Sequence, residues 1–173
     1  MRESEVKVNG QIRMREVKDN ELLLDLLRDR LEVKSVKAAC WRGECGLCTV
    51  LLNGELVKSC LVLAVEASGG EVVTVEGTGE DGSGGGGGGG LTAIQRAFME
   101  HGASQCGFCT PAFVLTTHEL LRRNPSPTET ELTEAVSGLI CRCGTYNQIR
   151  EAVAAVKAHD RRSVSKKLVE STR

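Results

Sequence analysis

The first third of the chain alternates apolar and polar residues in short runs, which is the pattern of half-buried β-strands. In the stretch SEVKVNGQIRMREV, the alternating apolar positions are Val6, Val8, Ile12 and Met14. The dipeptide Asn9–Gly10 stands between the two runs and is a signal for a two-residue hairpin turn. The stretch therefore predicts two antiparallel strands joined by a tight turn.

A helical period follows and then gives way to strands again. In ELLLDLLRDRL, one helical face is formed by Leu23, Leu26, Leu27 and Leu31. Asp19 or Asn20 is placed to cap this helix. The stretch CTVLLNGELVKSC predicts a second hairpin turning at Asn53–Gly54, and EVVTVEG predicts a last strand. Together these elements predict a small mixed sheet with one helix across it.

A glycine-rich stretch then interrupts both patterns. GTGEDGSGGGGGGG runs from Gly77 to Gly90 and ends in seven consecutive glycines, which have no side chains to pack. No Lys-Ser/Thr pair follows the run and no strand leads directly into it, so a phosphate-binding loop is disfavoured. We predict a first domain over residues 1–77, a linker over 78–90, a second domain over 91–160 and a basic tail over 161–173.

The second half of the chain has a helical period. LTAIQRAFMEHG places Ile94, Ala97 and Phe98 on one face. Three more helices have candidate caps, namely Thr110 followed by Pro111, Thr128 in a capping box with Glu131, and Asn147. The sequence thus predicts a unit of four helices after the linker, and an α+β protein as a whole.

Composition narrows the function classes. The chain has 173 residues, with 22 basic and 23 acidic side chains, so it shows no bias toward nucleic acid. Its eight cysteines could form disulfides or bind metal. The opening MRESEVKVNG contains no apolar signal-peptide segment, and no run reaches membrane-spanning length. We therefore expect a cytoplasmic protein with reduced thiols, which favours metal.

The first four cysteines follow the spacing C-x4-C-x2-C with a distant fourth member, at Cys40, Cys45, Cys48 and Cys60. This is the plant-type iron–sulfur spacing. Gly43 and Gly46 can take the positive φ that lets the loop turn three thiolates toward one cluster. Backbone N–H groups of such a loop then point at sulfur and offset its negative charge. Zinc sites more often use two separate C-x2-C knuckles, so the spacing favours a [2Fe–2S] cluster over zinc.

The second four cysteines fall between predicted helices, at Cys106, Cys109, Cys141 and Cys143. QCGFC lies between the first two helices and CRC between the last two, so two helical hairpins can hold one cluster. Cys109 precedes a helix N-terminus, whose positive end favours the thiolate. Taken alone, this set also fits zinc, but its company with the first set favours a second [2Fe–2S] cluster.

Three motifs together resemble the iron–sulfur small subunit of the molybdenum hydroxylases, namely CGLCTVLLNG with VKSC, QCGFCTP, and CRCGTYNQI. That family includes xanthine dehydrogenase, aerobic carbon monoxide dehydrogenase and 4-hydroxybenzoyl-CoA reductase. The resemblance implies an N-terminal β-grasp domain of the plant-ferredoxin type and a C-terminal four-helix [2Fe–2S] domain. The sequence departs from the family pattern at Ala39, Ala112 and Gly144–Thr145, and none of these changes removes a cysteine.

The resemblance also implies a role for each set of cysteines. The set from Cys106 to Cys143 would hold the cluster nearer molybdenum, and the set from Cys40 to Cys60 the one nearer flavin. Gln105 matches a glutamine that hydrogen-bonds the pterin, and Cys143 matches the ligand closest to the pterin amine. The implied partners are a large molybdopterin-binding subunit and a medium FAD-binding subunit in a heterotrimer. The chain itself would be an electron-transfer subunit of an oxidoreductase without a substrate site.

Two other functions fit parts of the pattern. A free-standing ferredoxin would need one exposed cluster, so the helical second half argues against it. A zinc-stapled interaction module would be colourless and free of iron. His101, His118 and His159 are not spaced as a nucleophile–base arrangement, and Trp41 beside the first site would shield sulfur or touch a partner.

Overall fold

The computed structural model describes residues 1–79 and 90–156. Most of the predicted linker, residues 80–89, lies outside the described residues. So do residues 157–173, which contain the predicted basic tail and the end of the second predicted domain. Within the described part, no helix is both long and apolar enough to cross a membrane.

Five short strands form one mixed sheet. They are β1 (Arg2–Val8), β2 (Gln11–Val17), β3 (Thr49–Leu52), β4 (Glu55–Lys58) and β5 (Glu71–Val73). Their order across the sheet is β2-β1-β5-β3-β4, with β1 and β5 parallel and the other neighbours antiparallel. Both predicted hairpins are confirmed, because Asn9–Gly10 and Asn53–Gly54 turn between paired strands with positive φ.

The leucine-rich helix begins later than the sequence predicts. It consists of α1 (Leu23–Asp25) and a π-helical turn (Leu26–Arg30). The predicted caps Asp19 and Asn20 are wrong, since Leu22 is the N-cap residue and no side chain caps the helix. Leu22 is extended because it pairs with Leu63 in a β-bridge, which delays the first helical turn. The apolar face is as predicted, with burial of Leu23, Leu26 and Leu27.

The second half is helical. Its described helices are α2 (Ala93–Glu100), α3 (Thr110–Arg123), α4 (Glu129–Val136) and α5 (146–156). The predicted buried face of α2 and the capping box of Thr128 with Glu131 are confirmed. A second capping box, formed by Thr92 and Gln95 at the start of α2, had the same S/T-x-x-E/Q signature and was missed.

Two of the predicted helix caps are wrong by one or two residues. Cys109, not Thr110, is the N-cap residue of α3, and the Thr110 hydroxyl instead donates to Ser104 Oγ at 2.9 Å. Helix α5 already includes residue 146, so Asn147 lies inside the helix. Both errors fall beside cysteines, where the loop geometry decides where the helix begins.

Two apolar cores meet at the first cysteine loop. One core lies between the sheet and the leucine helix, and the other lies among the helices of the second half. Cys45 and Leu47 come from the first half of the chain but are buried in the helical core. The loop that carries the first cysteines therefore packs directly on the helical half.

Candidate metal centres

The first cysteine loop wraps around the Cys40 sulfur. The backbone N–H groups of Arg42 and Cys45 each donate to Cys40 Sγ at 3.4 Å. These N–H groups, together with the N–H of Glu44, lower the pKa of the Cys40 thiol to about 6. The loop therefore offers the inward N–H groups that the spacing predicted, and they favour a thiolate.

Cys60 reaches the same site from the end of the hairpin. It follows β4 in a single 3-10 turn (Ser59–Leu61), and the Ser59 side chain donates to the carbonyl of Cys48 at 2.7 Å. Burial, followed by the neighbouring Cys48 thiol, raises the pKa of Cys60 to about 11. Hairpin β3–β4 thus starts after Cys48 and returns the chain to the site at Cys60.

The loop needs backbone conformations that few residues tolerate. Gly43 and Gly46 have φ of 75° and 72°, as predicted. A Cβ on Gly43 would overlap Leu61, and one on Gly46 would overlap the carbonyl oxygen of Gly138. Trp41 also has a positive φ, 58°, which the sequence did not indicate, and its side chain is 46% exposed.

The second set of cysteines lies between helix ends, as predicted. Cys106 and Cys109 connect α2 to α3, and Cys141 and Cys143 connect α4 to α5. Burial alone would raise the pKa of Cys141, but the hydroxyl and backbone of Thr145 lower it to about 7. The Thr145 hydroxyl lies 3.2 Å from Cys141 Sγ.

The helix N-terminus does not control Cys109 as expected. Burial, followed by the nearby Cys141 thiol, raises the pKa of Cys109 to about 12. The expectation of a stabilised thiolate from the helix dipole is therefore wrong for the free thiol, because desolvation is the larger effect. A bound metal cation would supply the missing opposite charge.

A tyrosine that sequence reasoning missed supports the second site. The Tyr146 hydroxyl accepts from the backbone N–H of Cys141 at 2.8 Å and donates to the carbonyl of Leu139 at 3.2 Å. Its ring meets Phe113 edge to face at 5.8 Å between centroids. These contacts tie the CRC segment to α3. A Tyr five residues after a buried Cys was the available signal.

The thiols of each set interact in pairs. In the first set, Cys40 contacts Cys45 and Cys48 contacts Cys60. In the second set the pairs are Cys106 with Cys143 and Cys109 with Cys141. Within the described residues, no three potential ligands surround a single point suited to one metal ion. Two thiol pairs per site are the donor set that a [2Fe–2S] cluster requires, with one pair for each iron.

The two sites are joined by the backbone. The N–H of Ile140 donates to the carbonyl of Cys45 at 3.0 Å. Gly46 packs against Gly138 and Leu139 at the same place. Ile140 precedes Cys141, so one hydrogen bond connects a cysteine of the first set to the neighbour of a cysteine of the second. Lys37 adds a cation–π contact with Phe108, 5.8 Å from the ring centroid.

The predicted pterin-facing residues lie at the surface of the second site. Gln105 and Cys106 are exposed and Cys143 is half-buried, whereas Cys109 and Cys141 are buried. The second set therefore has an open edge toward solvent and a closed edge toward the helical core. His118 is half-buried with its pKa lowered by burial, and His159 lies outside the described residues.

Comparison with known proteins agrees with this geometry. Residues 6–72 match the 2Fe-2S iron-sulfur cluster binding domain, and residues 74–154 match the [2Fe-2S] binding domain. These two regions fit the predicted arrangement of a sheet-containing domain followed by a helical one. Both cluster-binding regions lie within the part of the chain that carries the eight cysteines.

Relatives of known function align over most of the chain. The nicotinate dehydrogenase small FeS subunit of Eubacterium barkeri is 44% identical over 148 residues, covering 86% of this chain and 90% of that protein. The nicotine 6-hydroxylase small subunit of Paenarthrobacter nicotinovorans is 44% identical over 151 residues, or 87% of each. A chain in the crystal structure of quinoline 2-oxidoreductase from Pseudomonas putida 86 superposes with a TM-score of 0.82 at 37% identity, covering 93% of this chain and 96% of that one.

Proposed function

Because this chain belongs to the iron–sulfur small subunits of the molybdenum hydroxylases, we propose a specific route by which it carries electrons between its partners. The chain is the electron-transfer component of an oxidoreductase and has no substrate site of its own. When bound, its two [2Fe–2S] clusters supply one-electron chemistry. The finer assignment concerns which cysteines bind each cluster, which half receives electrons first, and which partners lie at each end.

We assign the ligands by the thiol pairs. Cys40, Cys45, Cys48 and Cys60 hold one cluster, and Cys106, Cys109, Cys141 and Cys143 hold the other. The observation that carries this assignment is the division of each set into two contacting pairs, since each iron takes two thiolates. The chain also donates backbone N–H groups to Cys40 and the Thr145 hydroxyl toward Cys141, which offsets negative charge on sulfur.

The helical half receives electrons first in this proposal. Gln105 and Cys143 resemble the pterin-facing residues of the family, and they lie on the open edge of the second site. The first site faces the electron acceptor. The hydrogen bond between Ile140 and Cys45 supports a direct connection between the sites, because it is the shortest backbone link across the interface. Burial of Cys45 and Cys141 keeps water away from this link.

The proposed partners are a large molybdopterin-binding subunit, which also selects the substrate, and a medium FAD-binding subunit that accepts the electrons. We place this heterotrimer in the cytoplasm. The first half is proposed to be a β-grasp of the plant-ferredoxin type, supported by its mixed sheet with a crossing helix. The second is proposed to be a four-helix [2Fe–2S] domain, supported by α2 to α5. The proposed domain bounds stay 1–77 and 91–160, with 78–90 as a linker and 161–173 as a tail.

Metal content provides the first test. The purified, brown chain should contain about four irons and four acid-labile sulfides, because two complete sets of cysteines are present. After reduction, EPR should show two distinct [2Fe–2S] signals, since the two sulfur environments differ in burial and in hydrogen bonding. A colourless, zinc-containing protein, or a single cluster per chain, would contradict the assignment.

A further inference from the structure

A buried carboxylate at the end of α3 is held by two arginines. Glu119 has a side chain that is 2% exposed. Arg122 binds it through two hydrogen bonds, with Nε to Oε2 at 2.7 Å and Nη2 to Oε1 at 2.8 Å. Arg123 adds a third, from Nε to Oε1 at 2.5 Å. The Arg122 guanidinium lowers the pKa of Glu119 against the opposing effect of burial, and Arg123 assists.

The same arginine side chain also reaches the other half of the protein. Arg123 Nη2 donates to the carbonyl of Gly54 at 2.9 Å and lies 3.1 Å from Glu55 Oε2. Gly54 and Glu55 form the turn of the β3–β4 hairpin and the start of β4. One guanidinium therefore joins Glu119 on the helical half to the hairpin tip on the sheet half.

The joined elements each lead to a cluster site. Helix α3 has Cys109 at its N-cap, so Arg123 stands at the opposite end of the helix that positions this thiol. The hairpin begins directly after Cys48 and ends just before Cys60. The two elements are rigid and hydrogen-bonded along their lengths, so fixing their far ends also fixes the angle between the two sites. Ile140 and Cys45 connect the halves at the near end.

We propose that Arg123 is a positioning residue, which clamps α3 to the β3–β4 hairpin and so sets the separation and orientation of the two clusters. The inference rests on the proposed function in requiring both clusters on this chain. Two contacts at opposite ends of the interface restrict rotation of the halves, which a single hydrogen bond at Ile140 leaves free.

Arg123 is a suitable probe because Glu119 does not depend on it for its own satisfaction. When Arg123 is removed, Arg122 still binds both oxygens of Glu119. The buried charge keeps a partner, so the helix keeps its fold and only the link to Gly54 and Glu55 is lost. The matched control is Arg150, whose side chain is 45% exposed against 48% for Arg123 and which pairs with Glu129 inside the helical half.

The test compares Arg123→Ala with Arg150→Ala in the full chain carrying both clusters. The first measurement is the magnetic splitting between the two reduced clusters in EPR, which depends on their separation and orientation. The second is hydrogen exchange of the peptide that contains Ile140, whose N–H spans the interface. We expect Arg123→Ala to weaken or broaden the splitting and to speed exchange at Ile140 by about fivefold, the factor for a strong partly exposed ion pair. The g-values and the potential of each cluster should stay unchanged.

Several results would overturn the clamp. Wild-type splitting and exchange in Arg123→Ala would do so, as would equal changes in Arg150→Ala, because the effect would then be general loss of stability. Arg123→Lys serves if the alanine variant does not fold. A single ammonium cannot span Glu119, Gly54 and Glu55 together, so the same change is expected at smaller size, and its absence counts against the clamp. A wild type without two reducible clusters would overturn the proposed function and the clamp with it, whereas intact clusters with unaltered coupling in the variants overturn the clamp alone.

Discussion

Gly46→Ala is expected to separate the first cysteine loop from the helical half and to release the first cluster. Gly46 has a φ of 72°, where an alanine costs about 1–2 kcal/mol. The added Cβ would also overlap the backbone oxygen of Gly138, which has no flexible side chain to move away. The hydrogen bond between Cys45 and Ile140 lies beside this overlap and should be lost.

A second glycine provides the control for this substitution. Gly54 has a φ of 83°, but no atom lies within 4 Å of the position of its Cβ. Gly54→Ala therefore carries the conformational cost without the overlap. We expect the midpoint for loss of visible absorbance on heating to fall by about 5 °C in Gly54→Ala and by at least about twice as much in Gly46→Ala. Equal shifts would show that the packing of Gly46 on Gly138 has no special importance.

Serine substitutions at two cysteines should have opposite consequences for electron delivery. Cys45→Ser changes the first site, so delivery to the flavin subunit should fall by about a hundredfold or more. Reduction of the helical half by substrate should continue, since its four cysteines are untouched. Cys143→Ser keeps an oxygen ligand but should shift the potential of the second site and slow its reduction.

The measurement for this pair is steady-state turnover with the natural acceptor, together with EPR of the substrate-reduced complex. Cys45→Ser should show the helical-half signal with little turnover. Cys143→Ser should show a changed helical-half signal beside a normal signal from the first site when both are reduced chemically. Turnover near the wild-type rate in Cys45→Ser would mean that electrons leave the chain without passing the first site.

Local signals predicted much of the fold. The dipeptides Asn9–Gly10 and Asn53–Gly54 specified both hairpins, because type I′ turns need positive φ at two adjacent residues. The periodic leucines and the Thr128–Glu131 box likewise depend on neighbours within one or two turns. Such features are readable from a short window, and the structure confirms them.

Features that depend on distant residues were not predictable. Leu22 is held extended by Leu63, so the start of the leucine helix depends on a partner 41 residues away. The contact of Ile140 with Cys45 and the reach of Arg123 to Gly54 also join positions with no local relation. Nothing in the sequence near these residues indicates which surfaces of the two halves meet.

The cysteine sites show both cases. Spacing alone grouped the eight cysteines into two sets, and the structure brings each set together. Their role as cluster ligands stays a proposal. Spacing did not indicate the pairs or the high pKa of Cys109, because burial is set by packing of the whole helical half. Trp41 was read as a shield or contact, but its positive φ follows from the closed loop rather than from its own type.

The order of reduction tests the central claim most directly. Substrate is mixed with the oxidised complex, samples are frozen at successive times, and EPR follows the two [2Fe–2S] signals, which the Cys45→Ser and Cys143→Ser variants assign to their sites. The account predicts that the helical-half signal rises first and the signal from the Cys40–Cys60 site follows. In Cys45→Ser the helical-half signal should still rise. If that variant stalls before the helical half is reduced, or if the first site is reduced first in the wild type, the sheet half faces the molybdenum subunit and the proposed order is wrong.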